Sequence, residues 1–265
     1  MTTPLPVLDR ILRLDAPQAG PWLDYLERFA PEDVAELARI VTDPDLLWAD
    51  MNTAESWAPV HAWRALGQLR AVTAVEALVS LLPHGEHDDW ILGELPEVFN
   101  LIGPDAVPAL AAFVSDPGQY PFARSAAGDA LSALGSTYPD HREACVQPLV
   151  TALGRFEGND ASLNGLLISS LMDLGALEAA PVMEAAFAAG RVDLFCVGDW
   201  EDVRVELGLL PERLTPRPRF EWPVQDPDLV PELRPARSGR IRADRAKAKA
   251  QRKAARKARR RNRHT

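Results

Sequence analysis

Residues able to do chemistry cluster in three places along this 265-residue chain, with two cysteines besides. The densest group is C-terminal: Arg237, Arg240, Arg242, Arg245, Lys247, Lys249, Arg252, Lys253, Arg256, Lys257, Arg259, Arg260, Arg261 and Arg263 stand against one acid, Asp244. Such a run attracts phosphates by counterion release, a contact that weakens with salt and reads no sequence. The tail offers no aromatic ring on which a base would stack. Its expected partner is therefore RNA or the ribosome, met as a polyanion. The plainer alternative is a solubilising extension.

The second group is acidic: Asp199, Glu201, Asp202 and Glu206 surround Trp200. It suits docking of a basic segment of a protein partner, and equally the negative first turn of a capped helix. The third is His84, Glu86, His87, Asp88 and Asp89. His84, His87 and Asp88 are candidate metal ligands, although neighbours on one loop seldom converge as three or four ligands must. The structural alternative is an exposed loop in which Asp88 or Asp89 caps the helix containing Trp90.

Cys145 and Cys196 lie in apolar surroundings typical of inert thiols. His61, beside Trp63, is read as a surface or packing residue. Trp22, Trp57, Trp63 and Trp90 fall on or beside apolar stripes and are read as packing rather than ligand-stacking groups. No serine elbow, phosphate loop or paired-histidine motif occurs, so neither a catalytic residue, a cofactor nor a small-molecule substrate is indicated.

Charge is distributed unevenly. Of 29 Lys and Arg, 14 lie in the tail with one of the 38 acids, leaving 15 cations and 37 acids for the rest. A body so anionic does not suit duplex DNA. Two cysteines make no secreted disulfide framework, which points to a reducing, cytoplasmic setting. Residues 1–14 lack the basic-then-apolar order of a signal peptide, and no apolar run is long enough to span a membrane.

Behind these groups stands a repeat. Apolar residues at helical spacing precede a glycine in four segments: Pro59, Ala62, Trp63, Leu66 before Gly67; Leu95, Val98, Phe99, Ile102 before Gly103; Ala127, Ala130, Leu131, Leu134 before Gly135; Leu167, Ser170, Leu171, Leu174 before Gly175. Trp22, Tyr25, Leu26 and Phe29 before Ala30 extend the series upstream to five. Each is followed by a second stripe, such as Val34, Leu37, Ala38 and Val41. The glycines are expected to be left-handed caps on first helices, and Pro31 and Pro104 to open second helices. Pro96 and Pro148 are expected to kink or shorten the first turn of theirs. First helices end 37, 36, 32 and 40 residues apart. Pairs of this length bury their faces only by stacking on neighbours, which predicts an all-α, right-handed α-solenoid of about five HEAT-like pairs.

The run Trp57–Leu69, the segment Asp89–Pro104 and the run Val192–Leu209 resemble the DUF1186 family of uncharacterised bacterial proteins, whose repeats are HEAT-like, of the phycobilisome-lyase type. The resemblance covers roughly residues 20–210 and brings no reaction with it. Some members of that family end in a cysteine-rich zinc segment; this chain has no cysteine after Cys196, and a basic tail follows instead. The expected division is a solenoid with a capping segment over 1–210, a proline-rich linker over 211–236, and a basic disordered tail over 237–265. The function expected is a non-catalytic scaffold or adaptor for a protein partner, the tail adding polyanion contact. Two alternatives stand beside it: a metal-assisted enzyme or lyase-like factor, and an RNA-associated protein dominated by its tail.

Overall fold

The computed structural model describes residues 5–18 and 21–217, within a compact unit that ends at Arg217. Among these residues all regular structure is helical and no strand occurs. The helices are α1 (Val7–Ile11), α2 (Val34–Val41), α3 (Pro44–Leu47), α4 (Ala58–Gln68), α5 (Val75–Val79), α6 (Asp89–Ile102), α7 (Val107–Ser115), α8 (Pro121–Thr137), α9 (Arg142–Leu153), α10 (Ala161–Asp173), α11 (Ala180–Ala188), α12 (Leu194–Val197) and α13 (Trp200–Leu207). None is long and apolar enough to cross a membrane on its own.

Packing follows the stripes. One layer runs α4 on α6, α6 on α8 and α8 on α10; the other runs α2 on α5, α5 on α7, α7 on α9 and α9 on α11. The stripe residues of α4, α6, α8 and α10 are buried at the seams. Each helix of the second layer from α2 to α11 is entered through a short 3-10 turn, at Pro31–Asp33, Val72–Ala74, Pro104–Ala106, Pro139–His141 and Leu177–Ala179. Three of these turns open on proline, whose missing N–H would have had no partner there.

Three expectations need correction. The stripe Trp22–Phe29 does not form a helix: the backbone N–H of Tyr25 goes to Gln68 Oε1 of α4 at 2.8 Å, and Leu26 is exposed. Gly67 and Gly135 do not cap: both lie inside their helices. They are small because a neighbour is close; a Cβ at Gly67 would stand 3.3 Å from Val98 Cα, and one at Gly135 2.7 Å from Leu174 Cδ2. Gly103 and Gly175 do take positive φ, 106° and 59°, as expected of caps. Thirdly, Pro96 and Pro148 sit well inside α6 and α9, because each helix starts six or more residues upstream and runs on past its proline.

A buried polar chain pins the loops between pairs. Arg124 Nε donates to Val114 O (2.9 Å) and its Nη1 to Asn159 Oδ1 (3.2 Å). Asn159 passes the chain to Asn164 Oδ1 (3.0 Å), and Asn164 Nδ2 donates to Phe156 O and Arg191 O at 2.9 and 2.7 Å. Arg124 and Asn164 each hold the fourth position of their helices, α8 and α10.

Leu134→Ala, at a fully buried seam position, is expected to lower the unfolding free energy by about 2–5 kcal/mol in urea denaturation. Gly135→Ala is expected to cost about 1 kcal/mol in the same experiment, because its Cβ would displace the Leu174 side chain and press on Cys145 Cβ (3.2 Å) and Arg142 Cα (3.4 Å) of α9.

Candidate functional site

The acidic group lies where the helical stack ends. Asp193 caps α12 by accepting from Phe195 N, and Gly198 turns the chain at φ 82° into α13. There Asp199 and Asp202 form a capping box: Asp199 Oδ1 accepts from Asp202 N (3.0 Å) and Asp202 Oδ2 from Asp199 N (3.4 Å). A Cβ at residue 198 would meet Asp202 Oδ2 at 2.5 Å, so glycine is required there twice over, by backbone angle and by space. Trp200 is half-buried: its ring packs on Phe187 of α11 at 5.6 Å and its Nε1 donates to Glu184. Val203 and Leu207 anchor the helix beneath.

Three carboxylates are thereby held together on one edge, and that edge carries a further segment. Arg213 forks onto Asp199, Nη1 to Oδ1 at 2.5 Å and Nη2 to Oδ2 at 2.7 Å, and its Nη1 also meets Asp202 Oδ2 at 3.0 Å. Glu201 Oε2 accepts from the backbone N–H groups of Leu214 and Thr215 and from Thr215 Oγ1 (3.3, 3.0 and 2.9 Å). Arg217 Nε reaches Asp202 Oδ1 at 3.0 Å. The guanidinium of Arg213 holds the Asp199 carboxyl below its ordinary range, and the Thr215 N–H does the same for Glu201. Both groups favour the contact when ionised, so it persists above the ordinary carboxylate range and fades as pH falls below it. Capping and arginine binding use the same acids at once.

Arg213 and Arg217 were invisible as site residues in the sequence, where they fall in a proline-rich stretch with the look of a linker. The usable signal was a pair of arginines just after a helix that opens on three acids. Residues 218–265, which include most of the 211–236 linker and all fourteen tail cations, lie outside the described residues.

A second assembly covers α4. Side chains of that helix at 61, 64 and 68 bond to the main chain of residues 15, 18, 23 and 25, ahead of α2. His61 Nε2 bonds Asp15 O (3.0 Å), Arg64 Nη2 donates to Gln18 O (3.0 Å), and Gln68 takes both Leu23 O and Tyr25 N. Asp15 O only accepts, so His61 carries its proton on Nε2 and its Nδ1 accepts from the Tyr25 hydroxyl at 2.7 Å. Arg64 pairs with Glu94, which also accepts from Trp63 Nε1, and its guanidinium lies 5.1 Å from the Trp22 ring and 5.6 Å from that of Trp90. Trp57 meets Trp90 edge-on. The tryptophans pack on the protein itself, as expected. His61 is 1% exposed, so its reading as a surface residue fails and its reading as a packing residue holds. Burial pushes its pKa down to about 4.

The remaining candidates are not brought together. The rings of His84 and His87 face Trp48 at 5.7 and 6.3 Å, and Asp88 turns to cap Trp90 N at 2.9 Å. Among the described residues no group of three or more His, Cys, Asp or Glu is placed to hold a metal ion. Burial raises both thiols, Cys145 and Cys196, to about 11, away from thiolate chemistry.

The unfolded chain takes up a proton on His61 near its ordinary value of about 6.5, the folded one only near 4. Stability should therefore be full above about pH 7 and fall as pH drops from 6.5 towards 4, by up to about 3 kcal/mol from this group. Urea titrations across that window test it, and His61→Gln, which cannot titrate, is expected to flatten the slope.

Comparison of the chain with protein-family models, with curated proteins and with solved structures finds no match, so the reading of function rests on the geometry just described.

Proposed function

We propose that this protein is a non-catalytic scaffold or adaptor of the cytoplasm: a right-handed, HEAT-like α-solenoid of four helical pairs, α4 with α5 to α10 with α11, preceded by α2, akin to the DUF1186 family. It binds a protein partner through the edge formed by Asp199, Trp200, Glu201 and Asp202. Its tail, 237–265, adds contact with a polyanion, RNA or the ribosome. Layer-on-layer packing of successive helices supports the solenoid reading. The observation that carries the binding role is the seating of Arg213 on three carboxylates, since a basic segment of a partner needs that same arrangement.

Each half has its test. In a salt titration with single-stranded RNA, the full chain is expected to lose affinity steeply between about 50 and 200 mM salt, and a truncation ending at Ala236 to bind no RNA. RNA binding that survives truncation would remove the tail from the proposal. For the edge, an oligo-arginine peptide should bind the truncated chain and bind it several-fold more weakly after Asp202→Asn. Indifference to that substitution would remove the edge.

A further inference from the structure

The segment seated on the acidic edge is held in an unusual way for part of a folded body. Of residues 211–217 only Arg213 is not exposed, its side chain being 15% accessible, whereas Leu214 is 72% exposed and the Arg217 side chain 75%. No apolar side chain of the segment is buried. Its attachment is the fork of Arg213 on Asp199, further ion pairs of Arg213 with Glu201 and Asp202 and of Arg217 with Asp202, and hydrogen bonds from main-chain and hydroxyl groups to one carboxylate oxygen. Contacts of this kind are screened by salt and open locally at little cost, unlike the seams between helices.

The pattern of contacts also reads like recognition of a peptide. Asp199 takes the guanidinium in a fork that lysine cannot supply. Glu201 needs a free N–H on each of the two residues that follow the arginine, and a hydroxyl on the second. Asp202 serves a second arginine two residues further on.

We propose that the edge of α13 recognises an Arg-x-Ser/Thr segment of a protein partner, bent so that two successive N–H groups meet one carboxylate oxygen, and that the chain's own residues 213–217 occupy this site in cis, so that the partner binds by displacing them. This rests on the reading of the Asp199–Asp202 edge as a partner contact, and adds the ligand class and its internal competitor. The connection from α13 to Arg213 is only residues 208–212, which keeps the competitor at a local concentration in the millimolar range. Partner segments therefore meet an occupied site.

The test uses the full chain and, as probe, a fluorescently labelled heptapeptide of residues 211–217, PERLTPR. Freed of its competitor, Arg213→Ala is expected to bind the probe at least about tenfold more tightly than the unmodified chain, as removal of a tethered rival requires. Replacing the first arginine of the probe by lysine should weaken binding to either protein. In the unmodified chain, excess unlabelled peptide should speed hydrogen exchange at the amides of Leu214 and Thr215, which Glu201 otherwise holds. Equal affinity of the two proteins, with binding still lost on Asp199→Asn, would overturn the internal competitor and leave the edge as a docking surface. Binding by neither protein would overturn both. Probe binding without any change in Leu214 and Thr215 exchange would show a different site and overturn the inference.

Discussion

A helix pair of 32 to 40 residues cannot hide both its apolar faces within itself, and the rest of this molecule answers to that constraint. Interior pairs are covered by their neighbours. The two ends of the stack have a neighbour on one side only, and each is closed by chain that is not part of a long helix. At the start, α1 packs on α2 and α4, and the main chain at Asp15, Gln18 and Leu23 is bonded by side chains of α4. At the finish, α12 and α13 pack on α10. Closure at the first end buries Tyr25 and Phe29. Closure at the other leaves the segment 211–217 outside the apolar core, attached to acids.

Cations in the body are accommodated by two devices. Arg64, Arg10, Arg142 and Arg213 face carboxylates, and of these only Arg64 is itself fully buried. Arg124 and Arg155 instead face carbonyls at the C-terminal end of α7, where the helix dipole is negative. The Nη2 of Arg124 is buried without a hydrogen-bond partner among the described residues, so this guanidinium carries an uncompensated desolvation cost within the loop network. Burial correspondingly lowers its pKa.

Much of the helical layout could be read from residue spacing, because an apolar stripe, a proline at the start of a turn and an aspartate at a cap act within a few residues of themselves. Asp43, Asp88, Asp160 and Asp199 cap as local rules require. What could not be read depends on contacts far along the chain. Trp22, Tyr25 and Phe29 have helical spacing, yet the main chain around them finds its partners on Gln68, more than forty residues away. Gly67 and Gly135 look like caps in one dimension and prove to be clearances between helices. Of the acidic candidate, the cap was legible in Asp199; its reciprocal partner Asp202 and its arginine were not, since proline-rich composition says nothing about what a single guanidinium reaches.

Pro96 and Pro148 give the stack a mechanical property. Each removes one rung from the ladder of a helix that otherwise continues through it, leaving the carbonyls of Leu92 and Ala144 without their N–H partners four residues on. Bending of a helix concentrates where a rung is missing. One such point lies in each layer, at Pro96 of α6 and Pro148 of α9, so these two positions are where each layer has the least backbone hydrogen bonding to resist bending.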